Sequence, residues 1–137
     1  MIYYSQNEQE TARIASELAQ KLHVGDIVAL YGTLGMGKTA FCRGFIQSFL
    51  NEQDVPSPTF TLLQTYDTPK FPIYHFDMYR LKSPEEAFEI GIEDAFAEGV
   101  SLIEWPEKIG NLLPKKHIRI FIEPDKKGRK ITIEGLS

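Results

Sequence analysis

Residues Gly32–Thr39 contain glycines and a lysine–threonine pair at the spacing that binds nucleotide phosphates, matching G-x-x-x-x-G-K-[ST] at every fixed position. Glycines allow the backbone to curl around an anion with its N–H groups pointing inward. Lys38 would place its charge on the β- and γ-phosphates, and the Thr39 hydroxyl would ligate Mg²⁺. The pattern therefore predicts a site for a nucleoside triphosphate with Mg²⁺.

The residues on either side of this loop are of the kind that a phosphate-binding loop requires. Ile27–Tyr31 is a short apolar run typical of a buried strand. From about Lys38 to Leu50, apolar residues recur at helical spacing, and the N-terminus of such a helix attracts anions. The alternative is a glycine-rich turn with an incidental lysine–threonine pair, and the strand and helix context favours the phosphate site.

Two carboxylates have the form expected of the acid that completes such a site. Ile73–Phe76 is an apolar run that leads to Asp77, and Val100–Ile103 leads to Glu104. Because Mg²⁺ prefers oxygen ligands, one acid would hold the metal or its waters while the other orients the attacking water. Either acid alone could instead cap the turn that follows its strand, so the residues leave these roles open between the two.

Two further residues are candidates for positions near the nucleotide. Thr59 could sense the γ-phosphate, or it could simply be the first strand residue after a proline turn. Trp105 could lie along the nucleotide, although a lone tryptophan more often belongs to a core or an interface. The histidines have no metal-ligand spacing, which argues against a zinc site. They are His23, His75 and His117.

The length and composition of the chain predict one soluble domain, residues 1–137. The net charge of -4 argues against a protein that binds nucleic acid by itself, because phosphate binding needs a basic surface. The lone cysteine, Cys42, excludes an internal disulfide, and no run approaches the roughly 20 apolar residues of a membrane span. These features predict a cytoplasmic protein without membrane contact.

Helix and strand patterns mix along the chain and predict an α/β class with a mixed sheet flanked by helices. Ser5–Glu8 matches a capping box ahead of the first helix. Ser83 and Pro84 predict another helix start, with Ser83 as the cap and Pro84 at the first helical position. The remaining predicted elements are a strand at Thr59–Tyr66, a short helix at Glu93–Ala97, and a closing strand pair at Ile118–Ile122 and Lys130–Glu134.

In order and spacing, these motifs resemble the TsaE family, also called YjeE, the bacterial ATPases of the system that makes threonylcarbamoyladenosine in tRNA. The resemblance covers nearly the whole chain. It rests on Gly32–Thr39, Ser57–Phe60, Tyr74–Arg80, Gly91–Ile92 and Glu104–Glu107. It implies a single-domain P-loop NTPase fold and an ATPase that uses ATP and Mg²⁺.

The resemblance also implies roles for individual residues. The phosphates would be bound by Leu34, Gly35, Met36, Gly37, Lys38 and Thr39. Thr39 and Glu104 would hold Mg²⁺, and Asp77 would be needed for hydrolysis, so Lys38, Asp77 and Glu104 form the expected catalytic set. Thr33 and Met36 occupy variable loop positions where the family often has an acid and an alanine. These differences leave the fixed phosphate-binding positions of the motif unchanged.

Glu8 and Arg129 match positions that, in the family, would contact the nucleotide from the sides. From the residues alone, Glu8 is equally well explained as a capping-box acid and Arg129 as a solvated turn charge. The family's ATPase docks on a complex of TsaB and TsaD, and its ATP cycle is thought to reset that complex between turnovers. The resemblance therefore implies TsaB and TsaD as partners, with no direct sequence-specific contact to nucleic acid expected.

Three other functions share such a loop. A small-molecule kinase usually needs an arginine-bearing lid, and this chain has few arginines and no lid-sized insertion. A GTPase would carry N-K-x-D and D-x-x-G strings, which the sequence lacks. A non-hydrolysing module that binds its partner only when loaded with ATP would not need two strand-end acids. The motifs favour in-line attack of water on the γ-phosphate, with Arg80, Arg129 or a partner's arginine as candidates to neutralise developing charge.

Overall fold

The computed structural model of the chain describes residues 1–32, 37–50, 62–126 and 128–136. Its strands are β1 (Ile2–Ser5), β2 (Ile27–Tyr31), β3 (Leu63–Tyr66), β4 (Ile73–Asp77), β5 (Val100–Glu104), β6 (Ile118–Asp125) and β7 (Gly128–Glu134). Its helices are α1 (Glu8–Ala19), α2 (Lys38–Gln47), α3 (Glu85–Glu89) and α4 (Ile92–Glu98), with 3₁₀ turns at Pro106–Lys108 and Gly110–Leu112. None of the helices in these ranges combines the length and the apolar character that crossing a bilayer requires.

Within the described ranges the strands form one seven-stranded sheet in the order β1-β7-β6-β2-β5-β4-β3. Its centre, β6-β2-β5-β4, is parallel, and the flanking strands pair antiparallel. This mixed sheet confirms the predicted α/β class. Because parallel strands end at the same edge, β2, β4 and β5 finish side by side, with Glu104 in register with both Leu30 and Asp77. The strand-end acids are thereby brought next to the end of the strand that enters the glycine-rich loop.

The two faces of the sheet are covered by different helices. Side chains alternate between the faces along each strand, so Leu102 packs with the α1 and α2 residues while its neighbour Ile103 packs with α3 and α4. Helices α1 and α2 approach each other closely at Gly44, where an added Cβ would lie 2.5 Å from the Cα of Ala12. Lys38, the first residue of α2, is therefore carried by a helix packed firmly against both the sheet and α1.

The start of the chain differs from its prediction. Ser5 is the last residue of β1, a strand that the polar N-terminal sequence did not reveal and that pairs with β7. The residue that caps α1 is Asn7, whose side chain accepts the backbone N–H of Glu10 at 2.9 Å. The predicted capping box at Ser5–Glu8 is therefore wrong by two residues, because Ser5 is held in the sheet and its hydroxyl contacts Thr11 instead, at 2.6 Å.

Smaller differences concern other element boundaries. Helix α2 ends at Gln47 rather than near Leu50. Pro84 occupies the cap position of α3, and Ser83 contributes no capping side chain; instead the Glu86 carboxylate accepts the backbone N–H of Ser83 at 3.1 Å. The strand predicted over Thr59–Tyr66 is described from Leu63 onward.

Candidate nucleotide and metal site

A cleft of about 450 Å³ opens at the edge of the sheet where β2, β4 and β5 end. Seven residues singled out from the sequence line it: Glu8, Gly37, Lys38, Thr39, Asp77, Glu104 and Trp105. An eighth lining residue, Arg80, was a sequence candidate to neutralise developing charge, and three further lining residues were not placed in the site by the sequence: Ala40, Arg43 and Tyr79. The structure thus brings Gly37, Lys38, Thr39 and both strand-end acids to one opening.

The junction between the loop and α2 depends on Gly37. This residue precedes the helix with a φ of +96°, a left-handed conformation that residues with a Cβ rarely adopt. It allows α2 to begin at Lys38 and directs the helix N-terminus toward the cleft, where its dipole favours an anion. The predicted phosphate-binding residues Leu34, Gly35 and Met36 lie outside the described residues, as does Thr59.

Lys38 is a buried cation without a hydrogen-bond partner among the described residues. It is only 4% exposed, and its Nζ lies 3.5 Å from the centroid of the Trp105 ring. Burial lowers the pKa of Lys38, and the carboxylates of Glu104, Glu107 and Asp77 offset part of that effect. An ammonium group left unsatisfied in a cleft is costly to the protein. An incoming phosphate oxygen would give it the partner it lacks.

Thr39 and Glu104 form a pair of oxygen donors at the floor of the cleft. The Thr39 hydroxyl donates to Oε1 of Glu104 at 3.0 Å, and Glu104 is only 2% exposed. A hydroxyl beside a carboxylate is a hard-oxygen donor set of the kind that Mg²⁺ uses together with phosphate oxygens and water. The residues present therefore fit the predicted magnesium site.

The second oxygen of Glu104 contacts a residue that sequence reasoning missed. Oε2 lies 2.7 Å from Nε2 of His75, a histidine that is 1% exposed. The available signal was the two-residue period of β4, which puts His75 on the same face as Asp77. Because Asp77 is in register with Glu104, the histidine comes within reach of the carboxylate.

Asp77 both caps a turn and lines the cleft, the two roles between which the sequence did not decide. Its Oδ1 accepts the backbone N–H of Tyr79 at 3.0 Å, so it caps the turn after β4. The same buried side chain lines the cleft beside Glu104. The hydrogen bond that caps the turn therefore also holds the Asp77 carboxylate in place at the cleft.

Trp105 lies at the cleft in an unusual backbone conformation. Its φ of +59° is left-handed, a conformation found in few residues other than glycine. The half-buried ring stands over the Lys38 ammonium and packs against Tyr79, with 5.0 Å between ring centroids. Strain of this kind persists only where the surroundings hold it, and it is concentrated at functional sites.

A second cleft, of about 210 Å³, adjoins the first and shares Glu8, Gly37 and Ala40 with it. Arg129 lines this second cleft from β7, opposite Ser5. The alternative readings of these residues are therefore wrong: Glu8 is not the capping acid of α1, and Arg129 is a half-buried strand residue rather than a solvated turn charge. Glu8 therefore lines both clefts, and Arg129 lines the second.

The fold also brings together three possible metal-ligating side chains that lie far apart in the sequence. One ligand atom from each of Cys42, His75 and Glu104 lies within 4.8 Å of the others, and all three residues are buried. Burial, reinforced by the carboxylates of Glu104 and Asp77, raises the pKa of the Cys42 thiol well above its ordinary value. In the metal-free protein the thiol therefore stays protonated.

Comparison with known proteins gives a consistent set of relatives. A family model described as "Threonylcarbamoyl adenosine biosynthesis protein TsaE" matches residues 5–131. Two similar proteins are named tRNA threonylcarbamoyladenosine biosynthesis protein TsaE. The one from Rickettsia bellii is 48% identical over 93% of this chain and 92% of its own length. The one from Bacillus subtilis is 37% identical over 85% of this chain and 73% of its own length.

The fold also matches a solved structure. The crystal structure of Bacillus subtilis YdiB superimposes with a TM-score of 0.82 at 31% identity, covering 100% of this chain and 86% of that one. The agreement extends over the whole mixed sheet and its helices, which confirms the predicted α/β fold.

Proposed function

The chain belongs to the TsaE family of threonylcarbamoyladenosine biosynthesis proteins, and from that premise we propose that it is an Mg²⁺-dependent ATPase. It hydrolyses ATP to ADP and phosphate, and this reaction supports turnover of a TsaB–TsaD complex that forms threonylcarbamoyladenosine in tRNA. Family membership agrees with the resemblance drawn from the sequence motifs. Family membership alone does not establish the ATPase activity or the TsaB–TsaD partnership, so each needs separate support.

One observation carries the ATPase proposal: a buried ammonium that has no hydrogen-bond partner among the described residues lines the same cleft as a hydroxyl–carboxylate pair. Lys38 offers a positive charge that lacks a partner among the described residues. Thr39 and Glu104 offer hard oxygen ligands at the same opening. A phosphate chain and its magnesium ion need these two kinds of group together.

The chemistry proposed is in-line attack of water on the γ-phosphate. Lys38 and the N–H groups at the start of α2 stabilise the negative charge that develops on the phosphate oxygens. Bound Mg²⁺ supplies additional positive charge. Glu104 is already held by Thr39 and His75, which favours it as the metal ligand and leaves Asp77 as the acid that orients water.

The nucleoside is proposed to extend into the adjoining smaller cleft. Glu8 lines both clefts and Arg129 lines the second, so the two residues flank the path from phosphates to sugar and base. The TsaB–TsaD partnership rests on the family resemblance and on the acidic net charge, which suits a protein that leaves tRNA contact to its partners.

The test is phosphate release from ATP with Mg²⁺, measured on the chain alone and then with TsaB and TsaD. Weak release that changes when both partners are added, without any small acceptor, is the expected result. Glu104→Gln should lose this activity, whereas Glu89→Gln, an exposed acid on α3, should keep it. Phosphoryl transfer to a small acceptor would instead indicate a kinase. ATP binding without turnover, even with the partners, would indicate a switch module.

A further inference from the structure

The contact between His75 and Glu104 determines the proton position on the histidine ring. An ionised carboxylate only accepts hydrogen bonds, so Nε2 carries the proton that it donates to Oε2 at 2.7 Å. The other ring nitrogen, Nδ1, is fully buried and has no partner among the described residues. A proton on Nδ1 would be a buried donor without a partner among the described residues, so the proton is placed on Nε2, where the carboxylate accepts it.

This hydrogen bond gives the two oxygens of Glu104 different roles. Oε2 is occupied by His75, on the side of the carboxylate that faces β4. Oε1 accepts a hydrogen bond from the hydroxyl of Thr39, a residue that lines the cleft. A cation that enters the cleft therefore finds one carboxylate oxygen beside one hydroxyl, rather than both oxygens of the carboxylate.

The number of available carboxylate oxygens distinguishes the common divalent cations. Ca²⁺ accepts six to eight oxygens in flexible geometry and often takes both oxygens of a carboxylate. Mg²⁺ requires a compact octahedral arrangement, keeps several waters and is held by few protein oxygens. A carboxylate fixed to offer one oxygen therefore suits Mg²⁺ and penalises Ca²⁺.

We propose that His75 is a positioning residue that holds Glu104 for one-oxygen metal coordination and so makes the site selective for Mg²⁺ over Ca²⁺. The inference rests on the proposed function, because it assumes that Glu104 ligates the nucleotide's metal. Residues that orient a metal ligand by hydrogen bonding commonly change metal affinity by about 10- to 100-fold when removed.

Two substitutions at position 75 test this role of His75, because one removes the hydrogen-bond donor to Glu104 and the other keeps it. His75→Leu fills the buried position and removes the donor. His75→Gln places an amide N–H near the position of Nε2 and should restore the contact. His23→Leu is the matched control, because that histidine side chain is 85% exposed, at a site away from the cleft. If the leucine variant does not fold, His75→Met supplies a more flexible side chain of similar volume.

The measurement is the dissociation constant of a non-hydrolysable ATP analogue in EDTA, in saturating Mg²⁺ and in saturating Ca²⁺. The wild type should bind more tightly with Mg²⁺ than with Ca²⁺. In His75→Leu this preference should fall by about tenfold or more while binding in EDTA is unchanged, and His75→Gln should recover most of it. His23→Leu should behave as wild type.

Two results would overturn the inference, and they are distinguishable. Wild-type binding that depends on Mg²⁺, with the same metal preference in a folded His75→Leu or His75→Met variant, would remove the role of His75 and leave the proposed function standing. Wild-type protein that binds the analogue equally with and without metal, or not at all, would remove both the inference and the proposed magnesium site.

Discussion

Replacing Lys38 by methionine should stabilise the empty protein while it weakens ATP binding. Methionine has a similar length and retains the packing of the aliphatic stem, but it removes the ammonium group. In the structure that group is buried without a hydrogen-bond partner among the described residues and stands over the Trp105 ring. A residue that destabilises the empty site and serves the ligand should reveal itself by these opposite effects.

The size of both effects follows from the contacts of Lys38. An unsatisfied buried donor costs about 1–3 kcal/mol, and the contact with the Trp105 ring returns about 0.5–2 kcal/mol. The attraction of nearby carboxylates returns a further part, so the net gain in the free energy of unfolding for Lys38→Met is at most about 1 kcal/mol. Loss of one charge-assisted hydrogen bond to phosphate, about 1.5–3 kcal/mol, should weaken ATP binding by about 10- to 150-fold.

The pH dependence of the stability difference has a definite sign. Burial lowers the pKa of Lys38 below the ordinary 10.5, so the unfolded chain binds this proton more tightly than the folded protein. Stability of the wild type should therefore rise as pH increases from the lowered pKa toward 10.5. The advantage of Lys38→Met should be full below that window and shrink within it.

Thermal unfolding without nucleotide and equilibrium ATP binding are the two assays for this variant. For a domain of this size, about 1 kcal/mol corresponds to a rise in Tm of about 2–6 °C. Lys21→Met is the control, because Lys21 is exposed and lies at a different cleft, away from the phosphate site. A lower Tm for Lys38→Met, or ATP binding equal to that of the wild type, would refute the reasoning.

Three further predictions concern other residues. Glu104→Gln should abolish the enhancement of nucleotide binding by Mg²⁺ but preserve binding in EDTA; an unchanged response to Mg²⁺ would exclude Glu104 as the metal ligand. Gly44→Ala should lower the free energy of unfolding in urea by about 1–3 kcal/mol, because the new methyl group would press against Ala12, and an unchanged midpoint would contradict the described helix contact. Cys42 should resist iodoacetamide at pH 8 until the protein unfolds, because burial raises its thiol pKa, and rapid labelling of the native protein would show that the site is open.

The part of the fold that surrounds the loop was predictable because its signals are local. The apolar run of β2 and the helical spacing in α2 need only neighbouring residues to be recognised. Strand β1 was missed because its stability comes from pairing with β7, more than a hundred residues away along the chain. That same pairing holds Ser5 in the sheet and moves the cap of α1 to Asn7.

The residues of the candidate site likewise fall into those that a local pattern predicts and those that only tertiary structure places. Lys38 and Thr39 belong to a contiguous pattern, and the strand-end position of Glu104 suggested its place. His75 was not found, because its contact with Glu104 depends on the register of β4 against β5, which no short segment encodes. The position of Trp105 over Lys38 likewise depends on a left-handed backbone conformation that its sequence neighbours do not predict.

The central claim is that the cleft binds one ATP through Lys38 and a magnesium ion. Equilibrium dialysis with labelled ATP, with and without Mg²⁺, tests it most directly, using wild type and the folded Lys38→Met variant. We expect saturable binding of one ATP per chain that Mg²⁺ strengthens and that Lys38→Met reduces by about tenfold or more. Absence of saturable binding by the wild type, or equal binding by the variant, would contradict the claim.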